Sequence, residues 1–159
     1  MIKVKIIALG RLKEKFLTSA CDEYKKRLSG YCNLEICELE PVKLPDKPSD
    51  SQISKALEKE AELITAKIPS GSTVFAMCIE GKQLSSEGLA EKIKNASDMG
   101  QNIVFIIGSS YGLNEKIKLA ADFRLSVSQM TFPHQLFRVM LLEQIYRGFK
   151  ISEGSAYHK

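Results

Sequence analysis

Three short segments are the first candidates for chemistry, because each directly follows an apolar run that reads as a strand. They span residues 79–82, 107–112 and 129–134. Ligands of open α/β sheets bind beyond the carboxyl ends of the strands, which is where these segments fall. Glycines in the first two segments allow the backbone to approach a ligand closely. The sequence therefore predicts a ligand site built from loops at one edge of a sheet.

The spacing of the glycines argues against two familiar nucleotide-binding patterns. Gly108 and Gly112 do not spell the Gly-x-Gly-x-x-Gly fingerprint of dinucleotide-binding folds. The Gly-Lys pair at 81–82 does not belong to a phosphate-binding loop, because Ala76 and Gln83 stand where that motif needs glycine and a hydroxyl residue. With only two histidines to act as base, a serine hydrolase triad is not expected.

The C-terminal tail, residues 154–159, brings together an aromatic ring, an imidazole and an ammonium group on Tyr157, His158 and Lys159. Few of its residues could anchor it in a core. A frayed terminus is the ordinary interpretation of such a tail. The alternative is that its polar groups serve a site elsewhere in the molecule.

The elements that must position these residues alternate between apolar runs and helix-period segments, a pattern typical of a mostly parallel sheet covered by helices. The fold class is therefore α/β, in a single domain over residues 1–159. The predicted strands are residues 2–9, 34–39, 73–79, 103–107 and 124–128.

Four helices are predicted before the last one. The clearest has Ile53, Leu57, Ala61, Ile64 and Ile68 at spacings of three or four, behind a cap at Ser49 or Asp50. The others cover roughly residues 13–28 and 86–99 and a short stretch after residue 114.

The composition is that of an ordinary globular chain: 159 residues with 44% hydrophobic and 26% charged side chains. The N-terminal apolar run is too short for a signal peptide or a membrane span, so we expect a cytoplasmic protein that does not enter a membrane. The four cysteines form no Cys-x-x-Cys pair and lie far from both histidines in sequence, so no metal site is expected.

Basic charge is concentrated towards both ends of the chain. Residues 1–30 carry eight basic and three acidic side chains, whereas residues 31–80 carry five and nine. The N-terminal cluster could face the phosphates of a nucleic acid if the fold gathers it. A solvated surface is the alternative, because a run of charge has low specificity by itself.

The last helix, predicted over residues 135–150, has apolar side chains on every side. A helix of this kind must be covered all round, so we expect one face to meet the sheet and the other to meet a second copy. The sequence therefore predicts a homodimer.

Several motifs resemble those of the RlmH family of the SPOUT methyltransferases, and the match runs from end to end of the chain. They are GRLK at 10–13, IGSSYG at 107–112, LSVSQMTFPHQ at 125–135, Arg138, EQIYR at 143–147 and YH at 157–158. Two positions depart from the family's pattern: Ser109 stands where it commonly has a second glycine, and Met77 where it commonly has leucine.

The resemblance implies an α/β fold with a C-terminal trefoil knot, an exception to the rule that chains do not thread loops. It implies S-adenosylmethionine as cofactor, bound in the knot. The positions that match the family's cofactor contacts are Met77, Gly108, Val127, Ser128, Gln129, Met130, Thr131 and Phe132.

The substrate that the resemblance implies is a pseudouridine in the helix 69 loop of 23S rRNA, methylated at N3 in the assembled ribosome. Arg147 is then suited to stabilise the charge that develops on the imide, His158 to accept the N3 proton, and Tyr157 to stack on or bond the base. The alternative for Arg147 is an ordinary helix pair with Glu143, four residues earlier.

Two other functions are compatible with this sequence. One is a ribosome-associated binding protein with a degenerate cofactor pocket, since Ser109 and Met77 are departures inside the presumed site. The other is a SPOUT methyltransferase acting on tRNA, which would share the fold and the cofactor but should lack the terminal Tyr-His pair.

The homodimer is tested by sedimentation at micromolar concentration. We expect a species of twice the chain mass, because the last helix exposes apolar surface that a single copy leaves uncovered. A single species of 17.8 kDa would contradict the inference.

Overall fold

The computed structural model describes residues 1–158, so the Lys159 of the predicted tail lies outside the described residues. Five strands form one sheet in the order β2-β1-β4-β3-β5, and all four pairings are parallel. The strands are β1 (Lys3–Leu9), β2 (Asn33–Leu39), β3 (Thr73–Gln83), β4 (Ile103–Ile107) and β5 (Phe123–Ser126). The predicted α/β class and the parallel sheet are confirmed. The knot stays a prediction.

Helices cover both faces of the sheet. They are α1 (Lys15–Leu28), α2 (Asp50–Thr65), α3 (Ser86–Asp98), α4 (Glu115–Ala120) and α5 (His134–Ser152), followed by a 3-10 turn at Ala156–His158. Helices α1, α3 and α5 contribute to one apolar cluster, and α2 and α4 contribute to a second on the opposite face. Every residue of the central β4 is buried, as expected for a parallel strand covered on both sides.

The starts of β1, β2 and β5 differ from the sequence prediction by one residue, and β3 and β5 differ more at their carboxyl ends. β3 continues past residue 79 to Gln83, with a shift in register against β5 between Met77 and Lys82. β5 stops at Ser126 instead of residue 128. Beyond Ser126 a local side-chain bond replaces the hydrogen bonds to a neighbouring strand: the Ser126 hydroxyl donates to the Ser128 carbonyl at 3.0 Å. Residues 127 and 128 are thereby released into the loop after β5.

A buried arginine joins α5 to the carboxyl ends of two strands. Arg138 Nη1 donates to Glu38 Oε2 at 2.6 Å, and Nη2 donates to the Gly10 carbonyl at 3.1 Å. The Arg138 side chain is only 5% exposed. These bonds fix the first half of α5 against the end of β2 and the turn after β1.

The start of α2 carries a reciprocal cap. The Ser49 hydroxyl accepts from the Gln52 backbone N–H at 3.2 Å, and the Gln52 side chain accepts from the Ser49 N–H at 2.8 Å. Of the two caps considered from sequence, Ser49 is therefore the one used, and Asp50 is the first helical residue. Ile68 lies beyond the helix end and packs on the second apolar cluster from the following turn.

The substitution Ser49→Ala should lower the free energy of unfolding by about 1 kcal/mol, because it removes one bond of this cap. Urea unfolding measures the change, with Ser51→Ala, an exposed serine in the same turn, as the control. Equal stabilities of the two variants would mean that the cap contributes nothing measurable.

Candidate functional site

A cavity of about 350 Å³ opens where β3, β4 and β5 end, within the size range of small-molecule sites. Seven of the eight positions predicted from the resemblance line it: Met77, Gly108, Val127, Ser128, Met130, Thr131 and Phe132. Gln129 is exposed and does not line the cavity, although both of its neighbours do. The structure thus gathers most of the predicted contacts in one place, and their role stays a prediction.

The loop after β4, residues 108–112, closes tightly on itself. The Gly112 N–H donates to the Ser109 carbonyl at 2.8 Å, and Gly112 has a φ of +84°. A Cβ added at Gly108 would lie 2.4 Å from the Gly112 carbonyl oxygen, closer than real contacts allow. Both glycines are therefore needed for the shape of the loop, whatever binds beside it.

The same five residues spell Gly-x-Ser-x-Gly, the letters of a hydrolase nucleophile elbow, but they lack its geometry. An elbow presents its serine on a strained turn that leads at once from strand into helix. Within residues 1–158 only glycines have positive φ, so Ser110 is not strained in that way, and the next helix begins only at Glu115. This part of the cavity does not have the form of a serine nucleophile site.

The loop after β5 is held by its own serines. The Ser128 hydroxyl accepts from the Met130 backbone N–H at 2.9 Å, next to the bond from Ser126 to the Ser128 carbonyl. Met130 is 70% exposed and Val127 is 37% exposed, although both line the cavity. This wall therefore presents apolar side chains that the rest of the chain leaves open to a ligand or a partner.

An ion pair at the cavity was not anticipated from the sequence. Lys118 of α4 donates to Glu80 and to Glu115, and both Lys118 and Glu80 line the cavity. The hydrogen bond from Lys118 lowers the pKa of the Glu80 carboxyl, which keeps a negative charge at the cavity wall. Glu80 and Lys118 are 38 residues apart, and no spacing rule connects them.

The residues predicted to be catalytic form a second group, on α5 and the tail, with Glu143 at its centre. Arg147 Nη2 lies 2.7 Å from Glu143 Oε1, and the Tyr157 hydroxyl donates to Glu143 Oε2 at 2.9 Å. The Arg147 guanidinium also lies over the Tyr157 ring, 4.8 Å from its centroid. The helix pair between Glu143 and Arg147 therefore exists, and it also binds the tail.

His158 is held from both sides of its ring. Nδ1 lies 3.4 Å from Arg147 Nη1, and Nε2 lies 2.6 Å from Glu87 Oε1 in the first turn of α3. The tail up to His158 is therefore folded against α3 and α5, and in this structure it is not frayed. We call Glu87, Glu143, Arg147, Tyr157 and His158 the tail cluster.

Burial and hydrogen bonding shift the pKa values of Glu143 and Tyr157 in this cluster. Burial raises the pKa of Glu143, but the hydrogen bonds from Tyr24, Arg147 and Tyr157 outweigh it, so the net shift is downward. Burial and the adjacent Glu143 carboxylate raise the pKa of Tyr157. Near neutral pH Glu143 is therefore a charged carboxylate and Tyr157 a neutral phenol.

The two groups of predicted residues do not meet within one copy of the chain. None of Arg147, Tyr157 and His158 lines the cavity formed within residues 1–158. The cavity lies at the start of α5, whereas the tail cluster lies along its second half. Within one chain, most of the predicted cofactor contacts therefore form one group, and the predicted catalytic residues form another group elsewhere.

The comparisons with known proteins agree over the whole chain. The family described as "Predicted SPOUT methyltransferase" matches residues 2–158. The ribosomal RNA large subunit methyltransferase H 1 of Clostridium perfringens (strain SM101 / Type A) is 48% identical over 159 residues, which is 99% of this chain and 100% of that protein. A protein of Methanococcus maripaludis (strain C5), provisionally named ribosomal RNA large subunit methyltransferase H, is 50% identical over 159 residues, which is 99% of this chain and 100% of that protein.

A solved structure has the same fold at much lower identity. A protein from Neisseria gonorrhoeae, assigned to a methylase family, is 12% identical and superposes with a TM-score of 0.52. The alignment covers 90% of this chain and 81% of that one. At this identity the likeness concerns the fold alone.

The substitution Gly108→Ala should lower the free energy of unfolding by about 1–3 kcal/mol, because the new methyl group would collide with the Gly112 carbonyl and force the loop to move. Urea unfolding measures the loss. Gly30→Ala is the matched control, since a Cβ there meets nothing within 4 Å. If both variants unfold at the same urea concentration, the close approach at Gly108 is not a constraint.

Proposed function

Because the chain belongs to the SPOUT methyltransferase family, we propose that it transfers a methyl group from S-adenosylmethionine to N3 of a pseudouridine in the helix 69 loop of 23S rRNA, in the assembled ribosome. The observation that carries the proposal is the cavity where three parallel strands end, lined by most of the positions that the resemblance assigns to the cofactor. The names of the relatives support rRNA of the large subunit as substrate. The particular nucleotide rests on the resemblance of the motifs. We expect the protein to act in the cytoplasm.

The residues around the cavity fit this cofactor. Apolar side chains of Met77, Leu125 and Phe132 suit an adenine ring and a thioether chain, and Ser128 adds a hydroxyl beside them. The Glu80 carboxylate offers an acceptor for hydroxyl donors, such as those of a ribose. When bound, the cofactor supplies an electrophilic methyl group. The loops after β3, β4 and β5 would hold and orient it and keep water away.

The tail cluster would prepare the nucleophile. The N3–H of a pseudouridine is a poor nucleophile until its proton is lost, so a base close to that nitrogen is needed. His158 would accept this proton at a ring nitrogen, once substrate displaces one of its present neighbours. Arg147, held by Glu143, would stabilise the negative charge that develops on the imide, and the Tyr157 ring would stack on the base.

A second copy of the chain would bring the two groups together. In one copy the tail cluster does not reach the cavity, and apolar side chains stay exposed at the start of α5, where Leu136 is 38% exposed, and in the loop after β5, at Met130 and Val127. A symmetric pair packed through this surface would cover those side chains. It would also allow the tail of one copy to face the cavity of its partner. We propose a homodimer with two such shared sites.

The N-terminal basic residues would face the phosphates of the rRNA. Lys13, Lys15 and Lys26 lie on or next to α1 and are exposed. Lys25 and Arg27 pair with Asp22 and Glu23 on the same helix, which reduces the charge they offer. The free energy gained from phosphate contacts is sensitive to salt, so ribosome binding should weaken as salt rises.

The direct test is transfer of labelled methyl from S-adenosylmethionine to ribosomes that lack the modification, beside naked rRNA and tRNA, with nucleoside analysis of the product. We expect label in N3-methylpseudouridine from ribosomes alone. Label in tRNA would support the tRNA enzyme. No label anywhere, with a folded dimer that does not bind the cofactor, would support the binding protein with a degenerate pocket.

Removal of residues 156–159 should abolish turnover and leave cofactor affinity nearly unchanged, because the tail cluster lies outside the cavity. The point substitution His158→Gln should lower turnover by about 100-fold or more if His158 is the general base. Calorimetry with S-adenosylhomocysteine checks that the cavity is intact in both variants. Undiminished turnover in the truncated protein would refute the catalytic role of the tail.

A further inference from the structure

Glu60 is a buried carboxylate in the middle of α2, and the residue is 3% exposed. Acidic side chains are almost never buried to this extent unless their oxygens are held by partners. Its partners here are two neutral donors. Oε1 accepts from the Ser109 hydroxyl at 2.8 Å, and Oε2 accepts from the Val42 backbone N–H at 3.1 Å.

These two hydrogen bonds connect distant parts of the chain. Val42 belongs to the irregular connection between β2 and α2, and Ser109 belongs to the loop at 108–112 that lines the candidate cofactor cavity. Ser109 is 49 residues from Glu60 in sequence. One carboxylate therefore fixes a helix, a connection and a loop of the cavity relative to one another.

Most of the loop lies at the surface, whereas α2 is anchored in the core. Two of the five loop residues are glycines, and Tyr111 is 47% exposed. In contrast, α2 begins with a reciprocal cap, and its Ala61 and Ile64 belong to the apolar cluster under the sheet. The bond from Ser109 to Glu60 thus joins a surface loop to a helix that is anchored in the core.

The loop also borders two cavities. Residues 109–111 line the cofactor cavity on one side and a second cavity, of about 190 Å³, on the other. Pro41, Leu44 and Leu57 line the far side of this second cavity, together with Glu60. Atoms that line a cavity have no van der Waals partners on that side, so the hydrogen bond from Ser109 to Glu60 contributes directly to holding residues 109–111 in position.

We propose that Glu60 is a positioning residue for the cofactor cavity: through the Ser109 hydroxyl it holds the loop at 108–112 in the shape that admits the cofactor. Glu60 does not itself line that cavity. The inference rests on the proposed function, because it concerns the site assigned there to S-adenosylmethionine. It adds a residue that touches neither cofactor nor substrate.

A double-mutant cycle on ligand affinity separates this role from a direct contact between Ser109 and the ligand. The probe is S-adenosylhomocysteine, and calorimetry gives its dissociation constant for Ser109→Ala, Glu60→Leu and the double variant. We expect each single variant to bind S-adenosylhomocysteine about 3- to 10-fold more weakly than the unaltered protein. The double variant should have the same affinity as the single variant that binds more weakly.

A conservative variant keeps the test decisive if Glu60→Leu does not fold. In Glu60→Gln the amide oxygen can still accept from Val42 N–H and the amide nitrogen can donate to the Ser109 hydroxyl, so affinity should stay close to that of the unaltered protein. Thr73→Val is the matched control, since it removes a 2.7 Å hydrogen bond to Gln101 at the opposite ends of the strands.

A change in loop position should also raise the KM for S-adenosylmethionine in Ser109→Ala and leave kcat nearly unchanged, whereas Thr73→Val should alter only stability. Unaltered affinity in Ser109→Ala, or losses that multiply in the double variant, would overturn the role of Glu60 and leave the proposed function in place. If the unaltered protein does not bind S-adenosylhomocysteine, both proposals fail together.

Discussion

Parallel pairing of every strand is the constraint on which the rest of the structure depends. Because the four pairings run the same way, the carboxyl ends of β3, β4 and β5 meet at one edge, and the loops that follow them must share one space. The pairing is stabilised from both faces by apolar side chains; the Phe75 and Phe105 rings, for example, stack with centroids 4.8 Å apart. Because helices cover both faces of the sheet, a ligand can reach it only at the loops that follow the strands.

Helix α5 connects the cavity at that edge with the tail cluster. It starts beside the cavity, is fastened to the sheet by Arg138, and carries Glu143 and Arg147 in the turns that hold the tail. Its apolar residues point in every direction, and α1, α3 and the sheet cover only part of them. The same helix thus separates the two groups of site residues in one copy and offers the surface through which a second copy would join them.

The sequence predicts the five strands because they follow local apolar patterns, and the resemblance of the motifs supplies most of the cavity residues. Apolar runs predict β4 to the residue, and the strand-end rule places Gly108 and Met130 in the cavity, whereas Ser128 was assigned to it only by the resemblance of the motifs. The end of β5 was wrong by two residues, since the side-chain bond of Ser126 replaces a strand bond without changing the apolar pattern. The role of Glu60 was not predictable, because it depends on contacts between residues far apart in the chain.

If the cavity of one copy and the tail cluster of another form one active site, two variants that are inactive alone should complement each other in a mixed dimer. One variant carries Ser128→Trp, which fills the cavity, and the other lacks residues 156–159. After unfolding and refolding together in equal amounts, half of the dimers would be mixed, each with one complete site. We expect the mixture of two inactive proteins to transfer methyl groups at about a quarter of the rate of the unaltered protein. No activity in the mixture, with mixed dimers demonstrated, would contradict a site shared between copies.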